Sequence, residues 1–531
     1  MTRHTLITAL ALTLLALGAG AADQPQWGEA WTRNMVSGER GLPESFDTGT
    51  GRNIKWTARL GSETHSTPVI AGGRVLIGTN NDEPRDPKHA GDRGVLMCFD
   101  EKTGELVWQL VVPKRDEDVF FDWPKSGISS PATVEGDRVY IVSNRGEVMC
   151  LDLHGMANGN DGPFQNEGLH MTAPPLPGSG PPKPNPGAEI EPQRLPAPAP
   201  GTALTPGPLD ADILWIFDMV ADAGIWPHDG AHSSVLVHGP HLYLNTGTGV
   251  DNTHRAIRRP DAPSLIVLEK ATGRFLARDQ EKISPRIFHC SWSSPSLARV
   301  NGRELVFFAG GDGIVRAFKP LDASTPVGEL RALEKIWQFD PDPTAPKENV
   351  HRFTSNKREG PSNVFGLPVV VGDRLFVAGG GDIWWGKNEA WLKCINATGE
   401  GDITRSGEIW SAPLGRHVMS TPTVHEGLVY IADTARHIRC LDAATGKEQW
   451  VQETRGDFWA SALVADGKVF IGTRRGDFWV FAASREKQVL ATIELKAPIS
   501  ATATPANGVL YVATMTHLYA IQQRAAAAAA P

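Results

Sequence analysis

The chain has 531 residues and a formal net charge of −8, with no basic stripe, which argues against nucleic acid as a partner. Its 55 glycines and 40 prolines exclude a helical bundle and suit many short strands joined by turns. Length alone suggests several domains, but repeat architectures grow by adding units, and this chain repeats.

The N-terminus reads as an address. Arg3 and His4 precede an apolar run, Leu6–Leu17, and then small residues through Ala21. This pattern predicts a signal peptide over 1–21, cleaved after Ala21. The run is short for a membrane span, and no cysteine follows it as a lipoprotein signal would require. The expectation is an exported chain, periplasmic or secreted, with no membrane span after cleavage. A lead-in (22–52) follows, and then a strand, "NIKWTARL" (53–60).

From there a hairpin signal recurs eight times: a Ser/Thr/Pro cluster, an apolar stretch, a turn centred on Gly, and alternating Val, Leu, Tyr and Ile. The hairpins start at Ser66, Ser129, Ser233, Ser293, Asn363, Ser420, Ala460 and Ala501. The turn glycines Gly427, Gly467 and Gly508 stand about forty residues apart, the period of a four-stranded propeller blade. After most hairpins comes a phrase such as "FDEKTGELVW", in which a Thr-Gly turn leads to an outer-strand tryptophan. Trp56, Trp108, Trp215, Trp337, Trp410 and Trp450 take this place, where a flat ring can wedge between neighbouring sheets. Ala277 replaces the ring in the third unit, and "REKQVLA" lacks both Gly and Trp in the seventh.

The predicted fold is all-β: an eight-bladed propeller of four-stranded antiparallel blades over 53–524. The eighth hairpin has no outer strand of its own, so the strand at 53–60 is expected to complete that blade and hide a sheet edge. Residues 155–208 form a Pro-rich insertion in the second blade, expected to be polyproline-like or disordered. An Ala-rich tail (525–531) ends the chain. Cys98, Cys150, Cys394 and Cys440 recur at one position of the repeat, which suits a small buried thiol rather than a disulfide; Cys290 stands apart.

Residues just before the inner strands of a propeller line its central funnel. Here they are Glu63 and His65, then His228, Asp229 and His232, then His289 and Trp292. Asn363, His417, Asp457 and Trp459 complete the set. Imidazoles and carboxylates can hold a metal or polar ligand, and indole faces can stack on a ring. A second candidate is a calcium loop offering Asp152, Asn158, Asn160 and Asp161 as oxygen donors, although its spacing is not that of an EF-hand.

The repeated "FDEKTGELVW" phrase resembles the tryptophan-docking motif of the pyrroloquinoline-quinone (PQQ) repeat superfamily, over nearly all the chain except the Pro-rich insertion. The opening "WGEAWTRN…GLPESFDTGTGRNIKW" is similar to secreted propellers of planctomycete type. The resemblance implies eight blades and leaves two roles open, since the superfamily holds both quinoprotein dehydrogenases and non-catalytic proteins such as the assembly factor BamB. A PQQ alcohol dehydrogenase implies a vicinal Cys-Cys pair, Ca²⁺ held by Glu, Asn and Asp, and an Asp base. This sequence has no adjacent cysteines and no C-x-x-C-H haem motif. The expected role is therefore a non-catalytic binding or scaffold protein using its funnel and loops; its partner would be an envelope protein or a small polar ligand, and the chain a monomer. The alternatives are a divergent quinoprotein oxidoreductase using PQQ and Ca²⁺, and a glycan- or peptide-binding propeller.

Overall fold

A computed structural model describes residues 22–115, 120–172, 202–324 and 328–523. The expected signal peptide over 1–21, the Ala-rich tail and the middle of the Pro-rich insertion lie outside the described residues. Eight antiparallel sheets surround one axis. The first seven blades occupy 69–113, 133–218, 236–278, 296–339, 369–413, 423–453 and 463–494. The eighth joins Thr504–Ala506, Val509–Ala513 and His517–Ile521 to Ile54–Arg59, which pairs antiparallel with His517–Ile521. The last blade thus closes with the first strand of the ring, which covers the outer edge of His517–Ile521.

The Ser/Thr clusters ahead of the inner strands stitch the blades together. Ser66 Oγ donates to the Ser130 carbonyl, and Ser130 Oγ to the Ser233 carbonyl. Ser294 Oγ accepts from the Ser234 N–H, and Ser293 Oγ donates to the Gly366 carbonyl. Thr421, Ser461, Thr502 and Thr67 each accept with a side-chain oxygen from a backbone N–H of the preceding blade. Every one of the eight junctions carries such a bond, so the ring closes in hydrogen bonds as well as in strands.

Outside this ring, the docking tryptophans join one blade to the next. Trp56, Trp108, Trp337, Trp410 and Trp450 donate their indole N–H to carbonyls of Glu101, Leu153, Ala397, Ala443 and Ser484 in the following blade. The ring lies over a turn glycine: a Cβ on Gly104 would fall 2.5 Å from Trp56, and one on Gly446 2.5 Å from Trp410. These glycines also hold positive φ, so both space and backbone exclude a side chain. Trp215 packs over Gly273 in the same manner, but its indole N–H has no hydrogen-bond partner.

Opposite each docking tryptophan on the neighbouring strand stands a small residue. Cys98 faces Trp108, Cys150 faces Trp215, Cys394 faces Trp410 and Cys440 faces Trp450. Ala317 and Ala520 take the place opposite Trp337 and Trp56. In the two blades where alanine replaces tryptophan, the facing residue grows instead: Val267 opposite Ala277, and Val480 opposite Ala491. The small residue leaves room for the indole beside it, and where the indole is absent a larger residue is accommodated. All five cysteines are buried and free.

The lead-in closes one end of the channel. Its backbone bonds successively to inner-strand residues Ile70, Val134, Leu297 and Val464, and Val36–Ser37 adds a short parallel strand to the seventh blade. Asn34 exchanges two bonds with the Val424 backbone. Arg33 is fully buried; its guanidinium donates to Ser234 Oγ and to the carbonyls of Trp27, Ser234, Val235 and Pro295. Burial pulls its pKa down to about 9.

Trp337→Ala should lower unfolding stability by about 3–5 kcal/mol, the cost of emptying a buried aromatic site. Ser130→Ala should cost less, about 1–3 kcal/mol, for unpaired backbone groups. Equal denaturation midpoints for the two variants would show that the wedge carries no more than the stitch.

Candidate functional site

The opposite end of the axis is open. There the loops leading into the inner strands, joined by longer loops between second and third strands, enclose a cavity of about 690 Å³. Three tryptophans form its centre. Trp292 meets Trp384 edge to face, with ring centroids 5.6 Å apart and planes at 85°; Trp384 meets Trp459 at 6.2 Å and 89°. Arg474 lays its guanidinium over Trp459 at 4.6 Å, and His65 tilts against the same indole. Glu63 lies 3.6 Å from His65.

On the side formed by the third, fourth and fifth blades, histidines gather. His228 comes from the loop before the third inner strand, His254 from the loop between Asn245 and Leu265, and His289 from the loop before the fourth inner strand. One ring nitrogen from each lies within 4.8 Å of the others. His228 donates from Nδ1 to the Val250 carbonyl, and its Nε2 meets His254 Nε2 at 3.1 Å. His289 Nδ1 bonds Asp382 Oδ2 at 3.0 Å, while its Nε2 stands 3.7 Å from Asp229 Oδ2. Asp382 is wholly buried and also accepts from the backbone N–H groups of Trp384 and Trp385. The same carboxylate thus aims an imidazole and shapes the aromatic loop beside it.

Burial lowers the pKa of His228 well below its usual value, helped by the charges that His289 and His254 would carry. His254 is lowered for the same reasons, first burial and then His289. Burial acts on His289 too, but Asp382 overrides it and the pKa is raised. His232 bonds the Asp229 carbonyl and packs edge-on against Trp292; burial brings its pKa to about 4. Burial thus disfavours the charged form of His228, His254 and His232, while Asp382 favours it in His289 alone.

Glu63, His65, Asp229, His232, His289, Trp292 and Trp459 all line the cavity, and His228 lies directly behind it. Three other candidates are used elsewhere. Asn363 is buried and bonds the Cys290 carbonyl and the Val364 N–H. His417 bonds the Lys387 carbonyl, and Asp457 lines a separate cleft with Arg416, Arg455 and Arg475. In the second blade, Asp152 and Asp161 come together with Asp212, whereas Asn160 turns to Glu167 and Asn158 to Asp161.

His254, Asp382, Trp384 and Trp385 escape a reading confined to the segments before inner strands. They belong to loops between second and third strands, whose lengths vary. The signal present is chemical: "GTGVDNTHR" and "GGGDIWWG" lie in long loops at a place where most blades turn within a few residues, the first blade being the other exception.

The residues do not fit PQQ held with calcium. Calcium takes hard oxygen donors, and the groups that converge here are imidazoles. Among the described residues, only Glu63 and Asp229 bring carboxylates to the cavity wall, and Arg474 is the one guanidinium there against a ligand with three carboxylates. None of the five cysteines pairs with another.

Asp382→Ala removes an acceptor from three N–H donors and should cost roughly 2–4 kcal/mol of stability. Thermal denaturation measures the loss, and acrylamide quenching should show Trp384 and Trp385 more accessible. Unchanged quenching would mean that the aromatic loop holds its shape without the carboxylate.

No helix among the described residues is long and apolar enough to cross a membrane. No curated protein matches the sequence. Among solved structures, BamB from Moraxella catarrhalis is similar at 11% identity and a TM-score of 0.50, covering 88% of this chain and 97% of its own. Quinohemoprotein alcohol dehydrogenase from Comamonas testosteroni is similar at 11% identity and a TM-score of 0.55, covering 96% of this chain and 82% of its own. At these identities the likeness concerns the fold. A family model described as outer membrane protein assembly factor BamB matches residues 32–119, 92–155, 327–460 and 391–525, more than half of the sequence. The chain belongs to this PQQ-like propeller family.

Proposed function

We propose that this protein is an exported, periplasmic or secreted binding propeller that captures a small ligand in its funnel, and that the ligand is a saccharide or a similar ring with a polar rim. The observation that carries the reading is the set of perpendicular indoles, Trp292, Trp384 and Trp459, at the centre of a cavity of about 690 Å³. A pocket of this size, mostly apolar with a few convergent polar groups, suits a small molecule. Trp384 and Trp123 remain 40% and 48% exposed, although large apolar rings ordinarily seek cover. Sugar rings offer apolar faces to such indoles and hydroxyls to Glu63, His65, Asp229 and Arg474. The lead-in beneath the funnel favours capture and release through one mouth over threading.

A quinoprotein oxidoreductase is the less favoured reading, because the donor set suits neither calcium nor a tricarboxylate. Outer-membrane assembly, which the family description names, would use surfaces for a protein partner; the funnel chemistry points instead to a small molecule.

Titration of the purified chain with a panel of mono- and oligosaccharides, followed by tryptophan fluorescence and melting temperature, tests the proposal. At a hundredfold excess over Kd, a ligand specific for the folded state adds about 2.7 kcal/mol of stability. Trp292→Ala should weaken binding at least about tenfold through the loss of aromatic packing. PQQ, with and without Ca²⁺, should produce no shift. Saturable, Ca²⁺-dependent PQQ binding would replace this reading with the quinoprotein one.

A further inference from the structure

We infer that His228, His254 and His289 form a binding site for a divalent transition-metal ion, with zinc as the fitting case, and that Asp229 supplies a fourth donor from the funnel side. A tetrahedral zinc with bonds of about 2.0–2.1 Å sets its donors about 3.3–3.4 Å apart. One edge here is close to that figure, and the three imidazole nitrogens, within 4.8 Å of one another, with Asp229 beside them, would draw together around an ion. His228 and His254 Nε2 lie 3.1 Å apart, and Asp229 Oδ2 is 3.7 Å from His289 Nε2 and 3.9 Å from His228 Nε2.

The outer contacts of these rings carry the argument further. A ligating imidazole characteristically donates its other N–H to a carbonyl or carboxylate, which fixes the tautomer and aims the lone pair. His228 donates Nδ1 to the Val250 carbonyl, and His289 donates Nδ1 to Asp382. In a neutral His228, whose Nδ1 carries the proton, the bare Nε2 points at a second imidazole nitrogen 3.1 Å away. His289 Nε2 is buried with no hydrogen-bond partner. A cation at the centre would use these electron pairs together.

Backbone conformation agrees with a built site. Asp229 and His254 hold φ of 57° and 56°, in the left-handed region that side-chain-bearing residues seldom adopt. Such conformations persist where the surroundings enforce them, and they gather at ligand sites. Imidazole nitrogen suits zinc, copper, nickel and iron more than calcium or magnesium, which sets the class of ion. His254, His289 and Asp229 line the cavity, so the ion would lie at its wall, beside Trp384 and Trp385.

The proposal stands apart from saccharide binding and is tested without any sugar. The full chain, stripped with a chelator, is titrated with ZnCl₂ by calorimetry and with CoCl₂ by visible absorption. The expected result is one ion per chain, with cobalt giving the strong d–d bands of four-coordinate geometry and zinc displacing it. His254→Ala, in a half-buried loop, should weaken binding at least a hundredfold with its circular dichroism unchanged. Asp382→Asn, which removes the charge behind His289 and keeps an amide oxygen for the Trp384 and Trp385 N–H groups, should weaken it roughly 10–100-fold. His65→Ala, across the funnel, should bind as the unaltered chain does. Absence of saturable uptake by the unaltered chain overturns the proposal, as does equal loss of the ion in His65→Ala and His254→Ala.

Discussion

Hydroxyl groups placed around the axis hold the rest of the molecule in register. Each joins the start of one inner strand to the backbone of a neighbouring blade, from Ser66 and Ser130 round to Thr502 and Thr67. An inner strand has few residues, three in most blades, and so has little ladder of its own to resist sliding. The side-chain bond fixes its height, and a one-residue slip would turn its buried face outward. The loops that carry His228, His232, His289 and Trp292 end at these same serines, so the accuracy of the funnel derives from the ring of hydroxyls.

The outer half of each blade solves a different problem, that of wedge-shaped space between diverging sheets. A tryptophan fills it, a glycine makes room beneath the ring, and a cysteine or alanine makes room across the strand. Much of this was legible in the sequence. The Thr-Gly turn, the spaced tryptophans and the recurrent cysteines are visible because each blade repeats the same packing solution. The strand at 53–60 could be assigned to the last blade by the same logic, since it carries Trp56 in the docking place. The reason for cysteine was less legible. Burial explains a small apolar residue, but only the pairing of Cys98 with Trp108, against Val267 with Ala277, shows that the small residue accompanies the facing indole.

The funnel was legible where it follows the repeat and hidden where it departs from it. His228, Asp229, His232, His289 and Trp292 precede inner strands and could be found by position. His254 and Asp382 lie in insertions unique to their blades, and no periodicity points to them. Asn363 and His417 show the converse: they hold the expected position, but their polar groups satisfy backbone carbonyls of neighbouring loops instead of facing the cavity. The plug was also beyond reach. Arg33 meets Ser234, Val235 and Pro295 more than two hundred residues away, and such contacts exist only after the ring has closed.

These features give the funnel two unlike walls. Imidazoles from the third and fourth blades, braced by Asp382 of the fifth, make one side a set of nitrogen donors. Across the axis, Arg474 stacked on Trp459, with Glu63 and His65, makes the other side charged and aromatic. Trp292 and Trp384 stand between them. A ring bound against these indoles would meet different chemistry along its two edges, so it would be held in one orientation. Because the lead-in blocks the axis below, such a ligand would have to leave by the mouth through which it came. A propeller has near-rotational symmetry in its frame; the unequal insertions of the third and fifth blades are what remove that symmetry at the site.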